Sequence, residues 1–391
     1  MAQQRKILYI ITQTELGGAQ HYVITLASSL KTANFNVVVA GGQSVSKDTS
    51  MLITLNALGI RTIQLKHLVR NISPIRDILA FFEIYRLCKR ERPEIAHLNS
   101  SKVSILAPLA ARLAKVKIIF HTVHGFAFDE EIPGWKKKLY LAAERMTAKF
   151  KDNIIFLSEK DKKNAERLKI RPKEKSAVIH NGVNITEGFL SRENARKALG
   201  IPKDGQLVGV IANFYSTKGL RCLIDAIEIA KMKIPEILCV IIGDGDIRQP
   251  LEAAIRAKNL EGNILLLGRK KNAKQYIRAF DAYANSSEKE GLPFSILDAM
   301  AAGVPIAATS VGAVPEALNN ENSVLVSPKD PRALAAAIIK ILTDSVFSER
   351  IVRNARSRVR NEFSQDTMVK KTISMYEEAI ASDFAKESTT P

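Results

Sequence analysis

An alternation constrains this sequence more than any other feature. Short runs rich in β-branched and other apolar residues are separated by amphipathic stretches of helical period. The runs form two series. The first is residues 6–11, 36–40, 94–98, 117–122, 153–157 and 176–179; the second is 206–211, 237–242, 263–267, 281–284, 305–308 and 323–326. Most are apolar throughout rather than at every second position, as expected of strands covered on both faces of a parallel sheet. Between them, Val23, Leu26, Ala27 and Leu30, and later Leu220, Leu223, Ile224 and Ile227, recur at three- and four-residue intervals, one face of a helix. Alternating strands and helices make α/β domains, and two such series make two doubly wound, Rossmann-like parallel-sheet domains. A length of 391 residues accommodates both. The text turns irregular near residues 183–203, which sets the expected boundary. Residues 348–384 read as helical and charged, and 386–391 as a disordered tail.

Composition narrows the class. With 46% hydrophobic and 25% charged residues the chain has ample core, and no apolar run reaches bilayer length. The start lacks a signal-peptide core, and Cys88, Cys222 and Cys239 are scattered without metal spacing. Together these point to a reduced, cytoplasmic protein. The net charge of +18 is concentrated in residues 1–190, where 30 Lys/Arg less 16 Asp/Glu leave +14. Such a surface attracts nucleic acid, anionic membrane or phosphorylated substrate. Nucleic acid has no support beyond charge, since neither a zinc module nor an aromatic-interleaved basic strand is present.

Ligands of doubly wound sheets bind beyond the carboxyl ends of the strands, so each strand exit bears on function. After the first strand, Gly17 and Gly18 open a helix; the turn lacks the third glycine and the ribose-binding acid of a dinucleotide fingerprint. It reads as a close backbone approach to a ligand or simply as a tight turn. His121 and His124 follow the fourth run of the first series. They project to opposite faces of an extended segment without a suitably spaced acid or Cys, which disfavours a metal. His124, beside Gly125, either lines the ligand cleft or is a hydrogen-bonded structural histidine. Trp135, Lys136, Lys137 and Lys138 begin a basic amphipathic helix, either a solvated face or a patch for anionic lipid headgroups. In the second half, Asn213 and Lys218 follow residues 206–211, with Lys218 expected in the first turn of a helix. Gly243 follows 237–242, and Gly268 and Arg269 follow 263–267. Residues 286–303 carry Glu290, Gly291, Leu292, Pro293, Phe294, Ser295 and Asp298. Ser295 and Asp298 have the spacing of a capping box, which places a helix N-terminus behind a glycine-bearing loop. Four successive glycine-rich or basic exits suit a nucleoside diphosphate.

These segments resemble the family 4 retaining glycosyltransferases of the GT-B fold nearly end to end. The likeness rests on Ile7–Ile10 followed by Gly17-Gly18-Ala19, on His124-Gly125-Phe126, on Asn181-Gly182-Val183-Asn184, on Glu290 through Asp298 as a Glu-seven-residues-acid signature, on Ala299 to Pro305, and on Gly312 to Glu316. The resemblance implies an acceptor-binding domain over 1–185, joined by a returning helix near 370–384, and a nucleotide-sugar-binding domain over 186–369, facing each other across a cleft. It implies that Glu290 holds donor-sugar hydroxyls and Asp298 the ribose, while backbone N–H groups around Pro293, Phe294 and Ser295 hold the diphosphate. Lys218 would neutralise the leaving diphosphate, Gly268 and Arg269 would border the base, Gly17 and Gly18 would close over the phosphates, and His124 would assist at the sugar or acceptor. Two departures stand out: Asn213 occupies the position where the family usually has Arg, and Asp298 is one methylene shorter than the usual Glu.

The implied reaction transfers a sugar from a nucleotide-sugar, with UDP the expected nucleotide, to a hydroxyl of a glycan or lipid-linked acceptor in cell-surface polysaccharide biosynthesis. It implies retention of configuration, no obligatory metal, no cofactor and no nucleic-acid partner, in the cytoplasm with possible peripheral contact at the inner face of the plasma membrane. The alternatives are a sugar-nucleotide epimerase on the same fold and, from another class, a basic nucleic-acid-binding protein.

Overall fold

The computed structural model describes residues 4–44, 48–129, 132–186 and 188–388. The chain divides into two units: residues 1–180 with 368–391, and residues 181–367.

In the first unit, β1 (Lys6–Ile11), β2 (Asn36–Gln43), β3 (Arg61–Val69), β4 (Ile95–Asn99), β5 (Ile118–Val123), β6 (Asn153–Phe156) and β7 (Lys175–Val178) form one sheet in the order β3-β2-β1-β4-β5-β6-β7. Every pairing is parallel, with Ile7 opposite both Val37 and Ile95. The helices are α1 (Gly18–Thr32), α2 (Ser50–Ala57), α3 (Pro74–Glu91), α4 (Ser101–Leu113), α5 (Gly134–Ala148) and α6 (Glu159–Arg167). The strand over Arg61–Val69 was not expected. It is an edge strand in which only Leu65 and Leu68 are buried, so it lacks the continuous apolar run of its neighbours.

In the second unit α7 (Arg192–Leu199) leads, within the stretch expected to be irregular; Ser191 Oγ accepts from Asn194 N–H at its start and Gly200 ends it in the left-handed conformation. The strands are β8 (Leu207–Ile211), β9 (Leu238–Ile242), β10 (Ile264–Gly268), β11 (Ala282–Asn285), β12 (Ile306–Thr309) and β13 (Val324–Val326), in the order β10-β9-β8-β11-β12-β13, all parallel. The helices are α8 (Leu220–Lys231), α9 (Arg248–Ala257), α10 (Phe294–Ala302), α11 (Val314–Ala317), α12 (Pro331–Thr343) and α13 (Ser345–Glu362).

The chain then returns to the first unit through α14 (Gln365–Ser388). This helix runs into the residues expected to be a disordered tail; residues 389–391 lie outside the described residues. A buried polar network ties it to the first sheet. Tyr376 Oη lies 2.8 Å from Tyr9 Oη on β1 and 2.5 Å from His97 Nδ1 on β4, and His97 Nε2 lies 2.7 Å from Thr122 Oγ1 on β5. Burial holds His97 neutral, at a pKa of about 3, and buried polar groups of this kind stabilise only when each is bonded.

Both sheets therefore have a point where strand order reverses. It lies between β1 and β4 in the first unit and between β8 and β11 in the second. Ligands of open α/β sheets bind outside the carboxyl ends of the strands at such points. Removing the Tyr376 hydroxyl leaves buried partners on β1 and β4 unpaired, so Tyr376→Phe is expected to lower stability by about 1–3 kcal/mol. Thermal unfolding of the purified variant checks this; an unchanged midpoint would mean that the network does not anchor α14.

Candidate active site

In the second unit the loops leaving β8 and β11 are bonded to each other. Glu288 N–H donates to Thr217 O at 2.8 Å, and Ser286 Oγ donates to Lys218 O at 3.0 Å. A Cβ on Gly219 (φ 59°) would sit 2.1 Å from Ser286 O, and one on Gly312 (φ 56°) would sit 1.7 Å from Glu290 O. Glycine is thus required at both positions for conformation and for space. Lys218 does not lie in the first turn of α8. It ends a 3-10 turn, Ser216–Lys218, and Gly219 separates it from the helix.

These constraints bring Lys218 and Glu290, 72 residues apart, into contact. Lys218 Nζ stands 2.7 Å from Glu290 Oε1. The same oxygen accepts from Ser287 Oγ at 2.6 Å and from Asn285 Nδ2 at 3.4 Å. Glu290 is nearly buried and Lys218 largely so. An ion pair so placed is costly to break by removing one member, because the other is left charged and poorly solvated.

Beyond Glu290, Gly291 has open space where a Cβ would stand, Leu292 is buried, and its carbonyl accepts from Asn181 Nδ2 at 2.7 Å. Pro293 occupies the N-cap of α10 in extended geometry, so Phe294 and Ser295 are its first two residues. The expected capping box is therefore absent. Ser295 lies inside the helix, where its hydroxyl meets the Tyr283 phenol, and no side chain caps α10 among the described residues. The helix dipole and the first-turn N–H groups face the loop uncapped, an arrangement suited to an anion.

Asp298 also does not cap. It is 7% exposed, and its Oδ1 is buried with no hydrogen-bond partner among the described residues. Burial pushes its pKa up to about 7, opposed by the charge of Lys274. A buried acceptor without a donor needs an explanation, and a ligand hydroxyl would supply one. Asn213 is partly buried past β8. Gly243 follows β9 with φ 152°, and a Cβ there would strike Ala212 O at 1.8 Å. Gly268 ends β10, and Arg269 follows it, exposed.

In the first unit Gly17 is the N-cap of α1 and Gly18 its first residue. His124 stands just past β5. Asn99 on β4, which the sequence did not single out, fixes its tautomer. The Asn99 amide donates from Nδ2 to His97 O at 3.2 Å, which turns Oδ1 toward His124 Nε2 at 3.0 Å. Nε2 therefore carries the proton, and Nδ1 is left as an acceptor. Tyr22 packs edge-on against the ring, and burial holds His124 neutral at a pKa of about 3. His121 is buried within β5. Among the described residues no group of three His, Cys, Asp or Glu side chains converges as for a metal ion.

Trp135, Lys136, Lys137 and Lys138 form the first turns of α5. Trp135 is 65% exposed, and Lys136 Nζ sits 5.4 Å from its ring centroid. No helix among the described residues is long and apolar enough to cross a membrane.

Two parallel Rossmann-like sheets, the second with an uncapped helix start at its switch point, are the domains of the GT-B fold. HepE of Anabaena, solved with UDP and glucose, superposes with a TM-score of 0.84 at 20% identity over 96% of this chain and 100% of that one. Sucrose-phosphate synthase of Thermosynechococcus elongatus gives 0.79 at 21% identity over 97% and 100%. Residues 16–187 match the model described as Glycosyltransferase Family 4, and residues 191–358 match Glycosyl transferases group 1. The chain belongs to the family 4-type glycosyltransferases. Among curated relatives, UDP-Gal:alpha-D-GlcNAc-diphosphoundecaprenol alpha-1,3-galactosyltransferase of Escherichia coli is 28% identical over 95% of this chain and 96% of its own. The capsular polysaccharide biosynthesis glycosyltransferase CapM of Staphylococcus aureus is 24% identical over 82% and 84%.

The Asp298 environment has a pH consequence. In the folded chain the carboxyl keeps its proton up to about pH 7, whereas unfolded it loses it near its ordinary value of 3.8. The native state binds the extra proton between those values, so stability falls as pH rises through that window. Asp298→Asn removes this slope. The difference in melting temperature, wild type minus variant, is expected to decline from pH 5 to pH 8; a constant difference contradicts the assignment.

Proposed function

We propose that the protein transfers a hexosyl group, with retention of configuration, from a UDP-sugar to a hydroxyl of a glycan or lipid-linked acceptor in cell-surface polysaccharide synthesis. The observation that carries this reading is that the Lys218–Glu290 pair joins the exits of β8 and β11 just before the uncapped start of α10, the helix that also carries Asp298, whose buried Oδ1 has no hydrogen-bond partner among the described residues. These are a cation and a helix dipole for a diphosphate, with hydroxyl acceptors on either side of it. The diphosphate lies against the N–H groups of Phe294 and Ser295, the ribose reaches Asp298, and the sugar reaches Glu290. The E. coli relative, by name, uses a UDP-galactose donor and a diphosphoundecaprenol-linked acceptor, which favours a nucleotide of the same kind here.

The chemistry follows from where charge develops. As the anomeric C–O bond breaks, the sugar becomes oxocarbenium-like and the diphosphate gains negative charge. Lys218 and the α10 dipole interact more strongly with that charge than with the intact donor, so they lower the barrier. Without donor, Glu290 holds Lys218; with donor, Lys218 turns to the phosphate and Glu290 accepts from sugar hydroxyls. The departing phosphate oxygen takes the proton of the incoming hydroxyl, and attack on the face it leaves retains configuration. In the first unit, neutral His124, with Nδ1 as acceptor, is suited to bond a hydroxyl of the acceptor.

UDP release from a panel of UDP-sugars tests the assignment. Glu290→Ala and Lys218→Met are each expected to lower turnover by about 100-fold or more, the scale of losing one transition-state contact. Full activity in either variant, or an epimerised UDP-sugar formed without UDP release, sinks it.

We also propose peripheral contact of the first unit with anionic membrane. Exposed Trp135 and Leu139 on α5 and Ile75, Ile78 and Phe82 on α3 accompany the basic run Lys136, Lys137 and Lys138. Apolar anchors beside cations suit anionic headgroups. Replacing the three lysines with Glu is expected to weaken binding to phosphatidylglycerol vesicles by at least about tenfold, given about 1 kcal/mol per basic residue. Unchanged partitioning removes this contact.

A further inference from the structure

At the exit of β11, one oxygen of Glu290 takes every bond that the protein gives this carboxylate. Oε1 accepts from Lys218 Nζ at 2.7 Å, from Ser287 Oγ at 2.6 Å and from Asn285 Nδ2 at 3.4 Å, and Oε2 accepts from no group among the described residues. The three donors are not equivalent. Lys218 carries a charge that a phosphate can draw away, and Asn285 stands at the long end of hydrogen-bonding range. Ser287 is close, neutral and only 2% exposed. Its hydroxyl has one proton and a carboxylate only accepts, so that proton lies toward Oε1.

Ser287 is itself held at both ends of its backbone. Its N–H donates to Asn285 Oδ1 at 3.3 Å, and its carbonyl accepts from Thr309 Oγ1 at 2.6 Å. Asn285 ends β11, Thr309 ends β12, and both are buried. Two paired strands thus fix one loop residue, and the rotation about its χ1 is settled by the bond to Glu290. Ser286, its neighbour, uses its hydroxyl on Lys218 O. Adjacent serines therefore hold the two sides of the ion pair separately, one the backbone of the lysine and the other the carboxylate of the glutamate. A nearly buried carboxylate that loses its cation needs a remaining donor, because desolvated charge without bonds is costly. A glutamate side chain also has three rotatable bonds, and one already anchored meets a ligand at lower entropic cost.

We propose that Ser287 is a positioning residue for glycosyl transfer. It keeps Glu290 Oε1 in place when Lys218 turns to the diphosphate, which leaves Oε2 for a hydroxyl of the donor sugar. The assignment deepens the glycosyltransferase reading and rests on it. The hydroxyl acts on the sugar end of the donor, through Glu290, and has no part in holding the nucleotide.

The test compares the full chain with Ser287→Ala, Glu290→Ala and the double variant. UDP release from UDP-glucose, UDP-galactose and UDP-N-acetylglucosamine, UDP affinity, and thermal unfolding are measured for each. Ser287→Ala is expected to lower turnover about tenfold or more, the scale of one hydrogen bond to a charged group, and to leave UDP affinity within about twofold of wild type. In the Glu290→Ala background the same substitution is expected to change turnover by less than about twofold, because a residue that acts through Glu290 has nothing left to act on. Full activity of Ser287→Ala, or an equal loss in both backgrounds, overturns the proposal. So does a failure to fold, or a loss of UDP affinity in step with turnover, since the hydroxyl would then hold the loop and not the carboxylate. If the wild type releases UDP from none of the three sugars, the transfer reading fails. Non-additive melting temperatures for the two substitutions then support Ser287 as the holder of Glu290, and additive ones overturn it.

Discussion

The contact between Lys218 and Glu290 organises the second unit's crevice, and it exists because two adjacent strands end at the same level. β8 and β11 are neighbours at the strand-order reversal, so their exit loops leave side by side. Backbone bonds from Glu288 to Thr217 and the close packing of Gly219 on Ser286 hold those loops in register. With the loops fixed, Lys218 meets a carboxylate whose acceptor oxygen is already bonded by Ser287 and Asn285. A lysine tethered this way loses less conformational freedom on meeting a phosphate than a freely rotating one would.

The same logic explains why the two acids of the segment differ. Glu290 is bonded several times over, and its charge is matched. Asp298 is buried within α10 with Oδ1 left unbonded among the described residues, and burial raises its pKa to about 7 against the opposing charge of Lys274. A carboxyl in that state gains most from a neutral donor such as a vicinal diol, which bonds it without bringing charge. Asp in place of the longer Glu leaves it recessed in the helix packing. The two switch points, one per unit, differ in what surrounds them: the second has an ion pair and a buried carboxyl near an uncapped helix start, and the first is lined in part by Ile72, Leu106 and Leu139.

Much of this was legible in the sequence. Twelve of the strands coincide with the expected runs, most of them apolar throughout because parallel strands are covered on both faces. The missed strand, Arg61–Val69, is an edge with only Leu65 and Leu68 buried, so it shows neither a continuous apolar run nor a strict alternation. Glycine and basic residues at strand exits pointed to the second unit's crevice, but the same criterion passed over Asn99, which is neither. An Asn ending a buried strand was the available signal for the first unit. Ser295 misled because spacing alone suggested a capping box, whereas Pro293, with φ fixed by its ring, occupies the N-cap and starts the helix earlier. The Lys218–Glu290 pair could not be read at all, since it depends on which strands are neighbours.

On the proposed reading a uridine diphosphate binds across the exits of β8 and β11. Amide hydrogen exchange, with and without saturating UDP, tests this directly. Slowed exchange is expected in residues 215–219 and 288–297. UDP binding that leaves both segments unprotected, or that protects only residues of the first unit, contradicts it.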